Sequence, residues 1–100
     1  MFQIPTREKV EEWGGTEVFM TKGLSEAGLF RCDPGLSLPL HAHEDGDEYI
    51  YLFEGEGRFL VGDEDFEVRP GKLVKVPKGV LHRSYNVSDK PFSCFYLLHA

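Results

Sequence analysis

The sequence predicts an all-β fold, a sandwich or barrel of short antiparallel strands. Two observations carry this reading. Turn-forming clusters such as Asp33-Pro34-Gly35, Gly55-Glu56-Gly57 and Gly62-Asp63-Glu64 divide the chain into short apolar-rich segments. The turns recur roughly every 8–12 residues, the spacing of a sandwich or barrel. In addition, no helical segments alternate with the strands, which excludes a parallel, doubly wound sheet.

The elements follow in order. Thr6 to Trp13 reads as irregular or briefly helical, capped by Thr6 and ended by Gly14-Gly15. Thr16–Thr21 is the first strand, and Leu24–Asp33 the second. LSLPLHAH, residues 36–43, is a strand carrying two histidines, and Glu44-Asp45-Gly46-Asp47 reverses the chain. Glu48–Glu54, Arg58–Val61, Phe66–Arg69, Leu73–Pro77, Leu81–Val87 and a closing FSCFYLLH complete nine strands. In YIYLF both strand faces are apolar, as they are in the closing strand, whereas a strand with one wet face alternates. The second apolar face is expected to lie under another sheet or against a second copy of the chain, and a homodimer is the favoured expectation.

A length of 100 residues fits one domain, residues 1–100. With 41% hydrophobic and 13% aromatic residues the chain is globular and long enough for one core. The formal charge is −6, from 11 basic and 17 acidic residues without a basic cluster. That composition argues against a nucleic-acid or anionic-membrane partner. No long apolar run and no signal peptide are visible, so a cytoplasmic location is expected. Cys32 and Cys94 fall outside any CxxC pattern and read as small buried residues.

His41 and His43, one residue apart, point to the same face of a strand. Glu48 opens the next strand and can turn back toward them, which makes half of a metal cage. His99 adjoins the C-terminus, where chains fray. His82, just past the Pro77-Lys78-Gly79 turn, is the remaining histidine that can face the other three.

Two motifs here resemble the cupin superfamily. The first, G-x5-H-x-H-x4-E-x6-G, runs from Gly35 through His41, His43 and Glu48 to Gly55. The second, G-x5-P-x-G-x2-H-x3-N, runs from Gly71 through Pro77, Gly79 and His82 to Asn86. Every fixed position of both is present, and together they span about half the chain. The resemblance implies a small metal-binding cupin with a double-stranded β-helix (jelly-roll) barrel, usually dimeric, holding metal inside.

The physical roles of these positions can also be stated directly. The four motif glycines sit where strands end and a positive φ is expected. Three imidazoles and a carboxylate suit Fe, Mn, Ni, Zn or Cu as divalent ions, and octahedral coordination would leave two positions free. Asn86 shares a strand face with His82 and is expected to brace the turn or support the ligands. The contrasting reading of the four ligand candidates is a hydrogen-bonded polar cluster without metal. Glu44, Asp45 and Asp47 read as a solvated turn, and Tyr49, Tyr51 and Tyr96 as packing residues ahead of a catalytic phenol. Arg31 and Arg83 are weighed as anion holders and set aside.

What the resemblance implies for function is a small metal-dependent enzyme acting on a small molecule, with dioxygenase-like or isomerase/lyase chemistry. Among these, dioxygenase-type oxidoreductase chemistry on a small apolar or aromatic substrate is the chosen expectation, motivated by Phe30, Ile50, Leu52, Phe59 and Phe66 as a barrel lining. The alternative is a non-catalytic module that binds a sugar or other metabolite.

Overall fold

The computed structural model describes residues 5–100, all in strands, turns or extended connections, with no helix among them. The strands are β1 (Arg7–Glu11), β2 (Gly14–Lys22), β3 (Ser25–Cys32), β4 (Asp47–Glu54), β5 (Gly57–Val61), β6 (Glu64–Val68), β7 (Leu73–Val76), β8 (His82–Tyr85) and β9 (Phe92–His99). They form two antiparallel sheets. The larger has the order β1-β2-β3-β9-β4-β7, and the smaller has the order β6-β5-β8. No helix of the described residues is long and apolar enough to cross a membrane.

Alternation places the core between the sheets. Ile50 and Leu52 of β4 and Phe92, Cys94 and Tyr96 of β9 point inward and are buried. They meet Phe59 of β5 and Val68 of β6, which come from the smaller sheet. Phe30 packs on Phe92 and Tyr96 with ring centroids 6.3 and 6.2 Å apart. Cys32 and Cys94 are buried free thiols in this core, so both behave as small apolar residues.

Two sequence expectations are corrected. Thr6 to Trp13 is not helical: Arg7–Glu11 is a strand that pairs with Gly14–Val18 through the two-residue turn Glu12-Trp13. Polar side chains at an exposed edge strand give no periodic signal, and pairing with β2 decides the conformation. Residues 1–4, which adjoin that reading, lie outside the described residues. Gly14 does not end an element. It is part of β2, close against β3, where a Cβ would lie 1.9 Å from the Arg31 carbonyl oxygen.

Residues 36–43 are the second correction. They run beside β8 without forming a continuous strand, and touch it in two isolated bridges, Ser37 to Tyr85 and His41 to His82. Four steps on the histidine segment face three on β8, so an extra residue is accommodated around Pro39. A proline lacks the N–H that a regular ladder needs there, which accounts for the bulge.

Candidate metal centre

The pairing around that bulge builds the site. His41 N–H donates to the His82 carbonyl at 3.0 Å, and His82 N–H donates back to the His41 carbonyl at 2.8 Å. Residues opposed in this way project their side chains to one face, and the two rings lie 4.2 Å apart, centroid to centroid. The His43 ring follows at 4.8 Å from His41 and 5.3 Å from His82. The His43 carbonyl accepts from Gly79 N–H at 2.8 Å, tying the histidine segment to the turn that delivers His82. Gly79 has φ 80°, a left-handed value that suits glycine. The other motif glycines, Gly35, Gly55 and Gly71, have φ of 74°, 81° and 93°.

Glu48 comes from the opposite sheet. It lies near the start of β4, on the inward face with Ile50 and Leu52. One ligating atom from each of His41, His43, Glu48 and His82 lies within 4.8 Å of the others. Glu48 and His82 are buried, and the other two are half-buried.

The hydrogen bonding of this cluster suits a cation. His41 Nδ1 donates to the Pro39 carbonyl at 2.7 Å, and His82 Nδ1 to the Val80 carbonyl at 3.0 Å. In neutral rings these bonds leave the Nε2 lone pairs free as ligands. His82 Nε2 then faces Glu48 Oε1 at 3.1 Å, lone pair against carboxylate, unless a proton or cation is shared between them. His43 Nε2 lies 3.4 Å from the same oxygen but without hydrogen-bond alignment, and it is a buried polar atom lacking a partner. Burial lowers the His41 pKa. The Glu48 carboxylate raises that of His43. Burial opposes ionisation of Glu48, but the imidazoles of His43 and His82 outweigh it and bring its pKa down to about 2. An ionised carboxylate among three imidazole nitrogens is a donor set for a divalent transition ion.

The cluster opens on a cavity of about 450 Å³ between the sheets. Phe30, Ile50 and Phe59 give it apolar walls, and Trp13 of the β1–β2 turn also borders it.

The family model for the Cupin domain matches residues 28–98. This chain is a cupin. Among curated relatives, a glucose-6-phosphate isomerase from Thermococcus litoralis is 36% identical over 78 residues, which are 78% of this cupin and 36% of the relative. The cupin therefore spans little more than a third of that relative's length. Among solved structures, a cupin-2 domain from Rhodospirillum rubrum superposes on all of this cupin and 74% of itself, with a TM-score of 0.84 and 20% identity. A variant of oxalate decarboxylase from Bacillus subtilis matches 92% of this cupin and 27% of its own chain, with a TM-score of 0.81 and 20% identity. At those identities the likeness is one of fold, the double-stranded β-helix. The fold and the His-His-Glu-His cluster together point to a metal ion.

The four ligand candidates named from sequence come together in this cupin, while Asp47, Arg31, Arg83, His99 and Asn86 lie outside the cluster. Asp47 Oδ1 accepts from Lys78 N–H at 2.8 Å and so holds the turn below the site. Arg31 pairs with Asp33 at 2.9 Å, and Arg83 lies over the Tyr85 ring at 5.1 Å. His99 is exposed at the end of β9. Asn86 is buried away from the ligands, where it donates to the carbonyls of Cys32 and Lys90 at 3.0 and 2.7 Å. Sequence reasoning did not single out Glu26, and it took Tyr96 for packing, yet both line the cavity. The available signal for Tyr96 was the alternation of β9, which puts its ring on the same face as Phe92 and Cys94.

Proposed function

We propose that this cupin is a metal-dependent enzyme acting on a small molecule, with His41, His43, Glu48 and His82 holding a divalent Fe, Mn, Ni, Zn or Cu ion. One observation carries the reading: four ligating atoms gather within 4.8 Å at the wall of a cavity of about 450 Å³. Such an ion, when bound, polarises a carbonyl or lowers the pKa of coordinated water. The chain's own residues do the rest. The Pro39 and Val80 carbonyls fix the His41 and His82 rings, Glu48 supplies negative charge, and Phe30, Ile50 and Phe59 give the substrate an apolar wall.

Isomerase or lyase chemistry is the favoured form. The likeness to a glucose-6-phosphate isomerase supports it, although fold alone does not decide chemistry. The apolar walls support a second, dioxygenase-type reading. The test loads the protein with Fe(II) or Mn(II) and follows hydroxy-carbonyl compounds and sugar phosphates by NMR, and phenols by oxygen uptake. Metal-dependent interconversion supports the first reading, and oxygen uptake the second. Ligands that bind without turnover would instead make the chain a sugar- or metabolite-binding module and overturn the enzyme.

The functional unit proposed is the single domain of residues 1–100 acting as a cytoplasmic homodimer. The free, buried thiols of Cys32 and Cys94 suit a reducing compartment. The dimer face is the outer side of the larger sheet. There Leu73, Tyr51, Phe95 and Leu29 pair in turn across four strands, and Phe19 lies 6.3 Å from the Phe95 ring. Leu73 is 64% exposed, Tyr51 41% and Phe95 38%. On a chain of net charge −6, this uncharged rung lets two copies meet without repulsion.

A further inference from the structure

We propose that Glu26 and Tyr96 form a polar anchor in the cavity that binds a hydroxyl group of the substrate, apart from the ligand cluster. This rests on the metal-dependent reading above. Both residues line the cavity, and the Tyr96 phenol donates to Glu26 Oε2 at 2.6 Å. Leu98 pairs with Glu26 on one side and with Glu48 on the other. The two glutamates therefore occupy one rung of the sheet, two strands and about 10 Å of backbone apart. A small chain-like molecule can reach from one to the other.

The bond between Tyr96 and Glu26 depends on a specific local device. Gly28 is the residue opposite Tyr96 on β3. A Cβ at Gly28 would stand 2.3 Å from the Glu17 carbonyl oxygen on β2, and 3.0 Å from both the phenol oxygen and a ring carbon of Tyr96. The missing side chain lets β2 approach β3 and leaves the ring room to lie across β3 toward Glu26, and a glycine inside a strand commonly marks such a close approach. Phe30 holds the ring from the side. Burial raises the phenol pKa, and the bond to Glu26 adds to that, so Tyr96 keeps its proton. Its proton is committed to Glu26 Oε2. The phenol oxygen and Glu26 Oε1 are left as two adjacent acceptors in a cavity that Lys9, paired with Glu11 at 3.2 Å, and Thr16 also border.

Adjacent acceptors, one of them anionic, take an O–H donor at that point. The substrate class that fits is a small carbonyl or acid compound that chelates at one end and carries a free hydroxyl beyond it. A planar apolar molecule leaves both acceptors unpaired, which costs affinity.

The test is calorimetric titration of the Mn(II)-loaded protein with butanohydroxamate and threonohydroxamate. These chelators have the same chain length and differ in their hydroxyl groups. The wild type is expected to prefer threonohydroxamate by about tenfold or more. Tyr96→Phe and Glu26→Gln should each remove most of that preference, leaving butanohydroxamate affinity and Mn(II) content unchanged. Equal affinities in the wild type, a preference that survives both substitutions, or a parallel loss of both chelators in the variants overturns the anchor alone. A wild type that binds neither chelator overturns the metal-dependent reading and the anchor with it.

Discussion

At the residue scale, Asn86 and Glu48 show how different jobs fall to side chains within one pair of motifs. Asn86 is buried and uses both ends of its amide. Its nitrogen donates to the Cys32 and Lys90 carbonyls, and its oxygen accepts from the Ser88 N–H and hydroxyl at 2.9 and 2.7 Å. This ties β3 to the turn before β9 and supports the ligands only through the fold. Asn86→Ala should therefore leave metal content unchanged and lower stability by about 2 kcal/mol or more, because the buried Cys32 carbonyl loses its donor. Denaturant melts beside elemental analysis check this, and an emptied site would contradict it. Glu48 contributes to the acid-side pH response of the metal-free protein, beside Asp47 and Asp65, whose carboxyls are also lowered. The Glu48 carboxyl is lowered from 4.5 to about 2 in the fold. A folded value below the ordinary one means the stabilisation is complete above about 4.5 and is lost as pH falls toward 2. Thermal melts of the metal-free protein should drop more steeply across that window for the wild type than for Glu48→Gln; parallel curves would contradict the assignment.

At the element scale, the β1–β2 hairpin depends on close approach to β3. Gly14→Ala places a methyl group against the Arg31 carbonyl, where 1.9 Å is available. Backbone on both sides prevents relief, so the melting temperature should fall by roughly 10 °C or more. A melt within a degree or so of wild type would show that β2 has room to shift. This is also the scale where the sequence was least legible. Strands such as YIYLF and FSCFYLLH announce themselves as runs of mostly aromatic and aliphatic residues set off by turn signals. Strand β1 has no such signal: REKVE is almost wholly exposed, with Val10 90% exposed, and becomes a strand only by pairing with β2. Conversely, LSLPLHAH has the composition of a strand, but Pro39 breaks its ladder with β8. The ligand set survived that error because the His41–His82 bridge, not a continuous strand, sets the facing. Glycines at turns and ligand types at fixed spacing are local properties, readable in one dimension. The Glu26–Tyr96 pair joins residues 70 apart in sequence, and only the register of β3 with β9 brings them together.

At the scale of the whole molecule, two apolar faces on one sheet need two kinds of cover. The smaller sheet covers the inner face, and a second copy of the chain is proposed for the outer one. Tyr51→Glu with Phe95→Glu should give a monomer by sedimentation equilibrium while metal content stays unchanged, because neither side chain faces the cavity. A wild type that sediments as a monomer would remove the dimer without touching the site. The metal cage itself is the centre of the account, since the open cavity and its chemistry have meaning only around it. Elemental analysis of wild type, His43→Ala and His82→Ala, grown and purified alike, tests it directly. The prediction is about one transition ion per chain in the wild type and less than about a tenth of that in each variant, with the β-sheet circular dichroism unchanged. Equal metal content in wild type and variants would contradict it.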